Sequence, residues 1–188
     1  MNSMSRSTTR SPLSLGGSTK RSLDFQPVRS GGASEFGGLS AERYALPQTF
    51  PRSIKRAAST ALATLERSVF QKINQYRQQQ GLSSMRLNST ITQQARQHSQ
   101  SMADLRALSH DGFSSRVLTI RNSIPLRASA ENVAFNQGFS NPTAQIVNGW
   151  LKSPGHFQNI MGDYNLTGVG VAQNNQGEFY FTQVFIKR

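Results

Sequence analysis

At 188 residues the chain has room for one ordinary domain and a tail, but not for two full domains. Only 36% of it is hydrophobic and cysteine is absent, which excludes a disulfide framework and a thiolate metal site and predicts a stretch that builds no core. The formal net charge of +12 draws the chain towards anionic partners (nucleic acid, acidic lipid, anionic wall polymer or an acidic protein surface) without choosing among them.

Composition divides the chain into an arm, residues 1–58, and a globular part, residues 59–188. The arm is rich in Ser, Gly, Thr and Arg, and its apolar residues follow neither a helical nor a strand period. It buries too little to offset the entropy of ordering, so an extended or disordered segment is expected. Two readings stand side by side. The arm is a solvated leader without a role, or it is a basic tether laid along an acidic complex or anionic surface, with Leu13, Leu15, Leu23, Phe25, Phe36, Leu39 and Tyr44 as anchors. Its arginines come with no aromatic platform and no recognition helix, which argues against nucleic acid. No apolar run of about 7–15 residues follows the first arginines, as a secretory leader requires. No stretch approaches the roughly 18–20 apolar residues of a transmembrane span.

From residue 59 the pattern is globular. Leu62, Leu65, Val69, Ile73 and Tyr76 recur at three- and four-residue steps, predicting a helix that stops at Gly81. Asn88 is a good N-cap for a second helix, reaching about Leu108, with Ile91, Ala95, His98, Met102 and Leu105 inward. A short helix is expected after Gly112, with Phe113 and Val117 inward. AENVAF at 130–135 reads as a strand. Asn141-Pro142 starts a helix that buries Ile146, Val147, Trp150 and Leu151 and ends at Ser153-Pro154-Gly155. Two β-rich runs flank Asn174–Gly177, a hairpin signal. Phe179, Phe181, Gln183 and Phe185 share one face of the last strand and Tyr180, Thr182, Val184 and Ile186 the other. Both faces are largely apolar, so helices are expected on both sides of the sheet. The expected class is α+β, with helices around a small, mainly antiparallel sheet.

Three ionisable side chains stand among apolar or turn-forming neighbours: His110 in LSHDGF, Glu131 in AENVAF and His156 in SPGHFQNIM. Two neutral imidazoles and a carboxylate allow a zinc site with an open position for water, whose lowered pKa would make a nucleophile. Equally, they allow a polar, pH-sensitive cleft without metal. Asn132 either orients that cleft by hydrogen bonding or ends a strand. His98, on an apolar helix face, reads as a buried, hydrogen-bonded histidine, and Trp150 as core. Ser109 and Ser129 lack the nucleophile elbow and oxyanion loop of a serine hydrolase. Gly168 and Gly170 lack the lysine and following helix of a phosphate loop, so close backbone approach is the better reading.

The order INQYRQQQGL, ARQHSQSMA, LSHDGF, AENVAF, VNGWLKSPGHFQNIM and TGVGVAQNNQGEFYFTQVF resembles the CAP superfamily, that of cysteine-rich secretory, antigen 5 and pathogenesis-related class 1 proteins. It looks most like the short, cysteine-free bacterial SCP-like members, over about residues 66–188. The resemblance implies an α-β-α sandwich, an extracellular or cell-envelope setting, and a cleft of two histidines and acidic residues that holds a divalent metal in some members. His110 and His156 match the two cleft histidines, the metal ligands there, and Glu131 matches the glutamate of the G-E-N motif. The glutamate that the family carries shortly after the first histidine has no counterpart, since Ser115 stands five residues on. Three functions follow: a binding module taking a small ligand, lipid, glycan or peptide into the cleft; an accessory protein docking on an acidic complex through its arm; or a metal-assisted hydrolase.

Overall fold

A computed structural model of the chain describes residues 52–188. The expectations for the arm's first 51 residues, and for a partner held by them, lie outside the described residues. Five helices and four strands follow in the order α1 (Arg52–Gln79), β1 (Arg86–Leu87), α2 (Ser89–Leu105), α3 (Phe113–Arg121), β2 (Ala128–Asn136), α4 (Pro142–Lys152), α5 (Pro154–Met161), β3 (Leu166–Gln173) and β4 (Phe179–Lys187). The sheet runs β1-β3-β4-β2, parallel only between β1 and β3.

The last strand fixes the architecture. Phe181 and Phe185 pack with Val69 and Ile73 of α1, Ile146, Val147 and Trp150 of α4, and Ile160 of α5. On the other face Val184 and Ile186 meet Ile91 and Ala95 of α2 and Ile120 of α3. The sheet is therefore covered on both sides, giving an α-β-α sandwich, as the two apolar faces of β4 predict. Gly168 and Gly170 face α2. A Cβ on Gly168 would strike the backbone of Ile91 and Thr92, and one on Gly170 that of Ala95 and Arg96. The two glycines thus let a helix lie directly on a strand.

Several local expectations are corrected. Helix α1 begins at Arg52, so residues 52–58 belong to it and not to the arm. Ser53, Ile54 and residues 56–61 are exposed, so no inward face repeats among them, and helix propensity, with Ala57 and Ala58 and no Gly or Pro, extends the element. Helix α2 stops at Leu105, three residues short, because Arg106 turns into the left-handed region (φ 51°) and donates its N–H to Met102 O. Leu105 is consequently 76% exposed and not inward. In α3 the buried residues are Arg116 and Ile120, with Phe113 and Val117 half-buried. Ser153-Pro154 is a corner and not a stop: Pro154 sits at the first turn of α5, where its missing N–H costs nothing.

Candidate functional site

Strand alternation sets the site. In β2 the side chains of Glu131, Val133 and Phe135 share the face of their partners Val184, Thr182 and Tyr180, towards α2 and α3. Asn132, Ala134 and Asn136 share the opposite face with Gln183, Phe181 and Phe179, towards α4 and α5.

Glu131 lies in the α2/α3 layer with its side chain only 1% exposed. A carboxylate there needs a counter-charge. Arg116 supplies it from α3 with a forked guanidinium: Nη2 lies 2.8 Å from each carboxylate oxygen, and Nε donates to Oε2 at 3.1 Å. Arg116 Nη1 also donates to Asp111 O (2.7 Å), fixing the loop that carries His110. His110 Nδ1 meets Glu131 Oε1 at 3.0 Å while its side chain stays 55% exposed. His98 of α2 is buried, with Nε2 2.8 Å from Ser109 O and 3.9 Å from Glu131 Oε1. A carbonyl only accepts, so Nε2 of His98 carries the hydrogen. Burial pushes the His98 pKa down, although the bond to Ser109 opposes this.

His156 stands on the other side of β2. Its Nδ1 is 2.9 Å from Ser153 Oγ, and its carbonyl accepts from Asn132 Nδ2 (3.1 Å). Asn132 Oδ1 in turn accepts from Asn159 Nδ2 (2.8 Å), so the fully buried Asn132 positions the turn of α5 that bears His156. Burial lowers the His156 pKa, and the nearby His110 lowers it further. His110 and Glu131 are therefore in contact, and His156 senses His110 by charge without bonding to Glu131.

Of the two alternatives for His110, His156 and Glu131, a zinc set or a metal-free polar cleft, His110 and Glu131 are in contact while His156 stands apart, and no three His, Cys, Asp or Glu side chains group among the described residues. Arg116 holds both Glu131 oxygens. Arg116 was not foreseen as a member of the site. The available signal was a basic residue in the middle of the short helix after His110, which shares its sequence neighbourhood with Arg121 and so does not stand out.

Beside the cluster a groove of about 420 Å³ passes over the β2 edge. Val133, Ala134, Phe135 and Asn136 form one wall, and Ile146, Gly149, Trp150, Ser153 and His156 form the other. Leu108, Phe135 and Phe139 line it while remaining 53%, 43% and 52% exposed. Trp150 is buried, as expected of core, and donates Nε1–H to Val133 O (3.1 Å).

Residues 70–185 match the model of the family described as CAP: Cysteine-rich secretory protein family. The uncharacterized protein YkwD of Bacillus subtilis is 30% identical over 133 residues, which are 69% of this chain and 50% of that protein, so the chain spans about half the length of the curated relative it matches. Among solved structures, an outer surface protein of Borrelia burgdorferi superposes with a TM-score of 0.59 at 19% identity, over 66% of this chain and 93% of its own. An extracellular SCP-domain protein of Bacillus anthracis gives a TM-score of 0.55 at 23% identity, over 67% of this chain and 41% of its own. A cysteine-rich secretory protein of Staphylococcus aureus also gives 0.55, at 18% identity, over 67% and 39% respectively. These likenesses bear on the fold.

Proposed function

Because the chain belongs to the CAP, or cysteine-rich secretory protein, family, we propose that it acts as a CAP-domain binding module that takes a ligand into the groove over the β2 edge. The observation that carries this reading is a contrast in availability. Both Glu131 oxygens are held by a buried guanidinium, whereas Leu108, Phe135 and Phe139 keep half their surface open along a preformed groove. A general base needs a free lone pair and a poised geometry. A carboxylate locked into an ion pair serves better to hold the His110 loop. Exposed aromatic and aliphatic groups around a concave surface are what a ligand with an apolar portion would cover. No described helix is long and apolar enough to cross a membrane. The relatives described as extracellular or outer-surface proteins support the same setting for this chain.

Trp150, the single tryptophan, lines the groove and reports on it. Titration with 1-anilinonaphthalene-8-sulfonate, an apolar anionic probe, is expected to change Trp150 emission saturably. Phe139→Ser, at an exposed position, is expected to weaken the probe at least tenfold. An absence of saturable change, or equal affinity in Phe139→Ser, contradicts the reading.

A further inference from the structure

Among the described residues the groove crosses an open sheet edge, where β2 pairs with β4 alone and ends the sheet. On its outer side the carbonyls of Glu131 and Val133 accept from Asn159 Nδ2 (3.2 Å) and Trp150 Nε1 (3.1 Å). Among the described residues these side-chain caps stop at Val133. The two-residue period of a strand places the N–H and C=O of Phe135 on the same outer side, where the groove lies. An uncapped strand edge is a template for another strand.

Asn136, the next residue, is a second and independent sign. It lines the groove and is 3% exposed, yet neither Oδ1 nor Nδ2 has a partner among the described residues. A buried polar group left so costs roughly 1–3 kcal/mol. Its donor and acceptor stand side by side, the complement of a peptide group.

Charge selects the occupant further. Among the described residues no carboxylate lines the groove, the chain carries a formal net charge of +12, and His156 offers a hydrogen-bonding imidazole within the groove. The buried carboxylates of Glu131 and Glu178 are each already paired, with Arg116 and Arg106. The wall opposite β2 has a gap at Gly149, where an added Cβ meets nothing within 4 Å. That leaves open space in the wall beside Trp150.

We propose that the groove binds an extended acidic peptide as an added strand paired to the backbone of Phe135, with an apolar side chain over Gly149 and Trp150 and a carboxylate beside His156. The inference rests on the binding-module reading and names its ligand class. Main-chain pairing supplies affinity in this mode, and alternate side chains supply specificity.

The test uses the full chain and a displayed library of random dodecapeptides, counter-selected on Gly149→Leu. That variant fills the groove while replacing a helical glycine, so its thermal unfolding serves as a fold control. Enriched peptides are synthesised, then remade with N-methylated backbones and with Asp or Glu changed to Asn or Gln. Expected are acidic sequences with alternating apolar residues, at least tenfold weaker on Gly149→Leu and after N-methylation, and several-fold weaker without the carboxylate. No enrichment over Gly149→Leu, or affinity indifferent to N-methylation, overturns the proposal. If anilinonaphthalene sulfonate still binds the groove when peptides fail, only the peptide inference falls. If the probe fails as well, the binding-module reading falls with it.

Discussion

The two edges of the sheet are finished in different ways. On the β3 side the short β1 covers only Leu166 and Thr167. Beyond it Glu66 reaches from α1, accepts the N–H of Val171 (3.2 Å) and the Nε–H of Arg96 (2.8 Å), and so closes the edge with a carboxylate. Two glycines let α2 press onto the same strand. Among the described residues the β2 edge is capped as far as Val133, and then leaves Phe135 exposed and the Asn136 amide unpaired. One edge is built for stability. The other keeps unmet hydrogen-bonding groups beside an apolar groove, as a surface awaiting a partner does.

The largest expected effect lies at the sealed side. Gly170→Val should prevent folding, because its branched side chain has only helix backbone to displace. Gly170→Ala should cost about 3 kcal/mol by overpacking, as measured by urea unfolding. An alanine variant as stable as wild type would mean that α2 does not lie directly on β3.

Next comes Arg116→Met, which strands the Glu131 carboxylate. A loss of roughly 3–5 kcal/mol is expected, partly recovered in Arg116→Met/Glu131→Gln, since breaking a buried pair costs more than removing it. If the two changes are simply additive in urea unfolding, the pair is not coupled.

Acid supplies a smaller effect. His98 and His156 have pKa values lowered by burial, so below about pH 6.5 the unfolded chain takes up protons that the folded chain resists. Their contribution is full above that pH and is lost as pH falls beneath it. Glu178 adds a second, lower window. Hydrogen bonds from Arg106 hold its pKa at about 2, so its contribution is present above the ordinary carboxylate range and is lost as pH falls towards 2. Unfolding midpoints should therefore decline between pH 7 and 5.5, less so in His98→Gln, and again below about pH 4.5. A flat profile from pH 7 to 5.5 would contradict the histidine account.

The smallest effect belongs to the open side. Gly149→Ala should raise stability by about 1 kcal/mol, because it improves helix propensity and meets empty space. A destabilised Gly149→Ala would show that the position is crowded and the groove not open.

How far the sequence alone reaches follows the same physics. The apolar period of α1, that of α2 as far as Met102, the Asn88 and Asn141 caps, and the two-faced β4 are local or repeat in short steps, and each is found where expected. The close approach at Gly168 and Gly170 was legible because glycine in a strand has few other uses. Helix α5 was not, since Pro154-Gly155 carries breaker chemistry and only its place at a first turn turns it into a start. The contact of His110 with Glu131, 21 residues apart, was reached through motif order rather than through spacing. Arg116 was missed because its role depends on which strand face Glu131 occupies, and that is decided by the pairing of β2 with β4. The unpaired amide of Asn136 has no sequence signal, because a hydrogen bond that is not made leaves no pattern.

Amide chemical-shift mapping of the labelled chain during titration with anilinonaphthalene sulfonate bears most directly on whether the β2 edge is where this protein meets its ligand. The account predicts saturable shifts concentrated at residues 133–139 and 145–156, with the amides of α2 against β3 nearly still. Shifts centred on α1 or on the α2–β3 contact, with residues 133–139 unmoved, would contradict it.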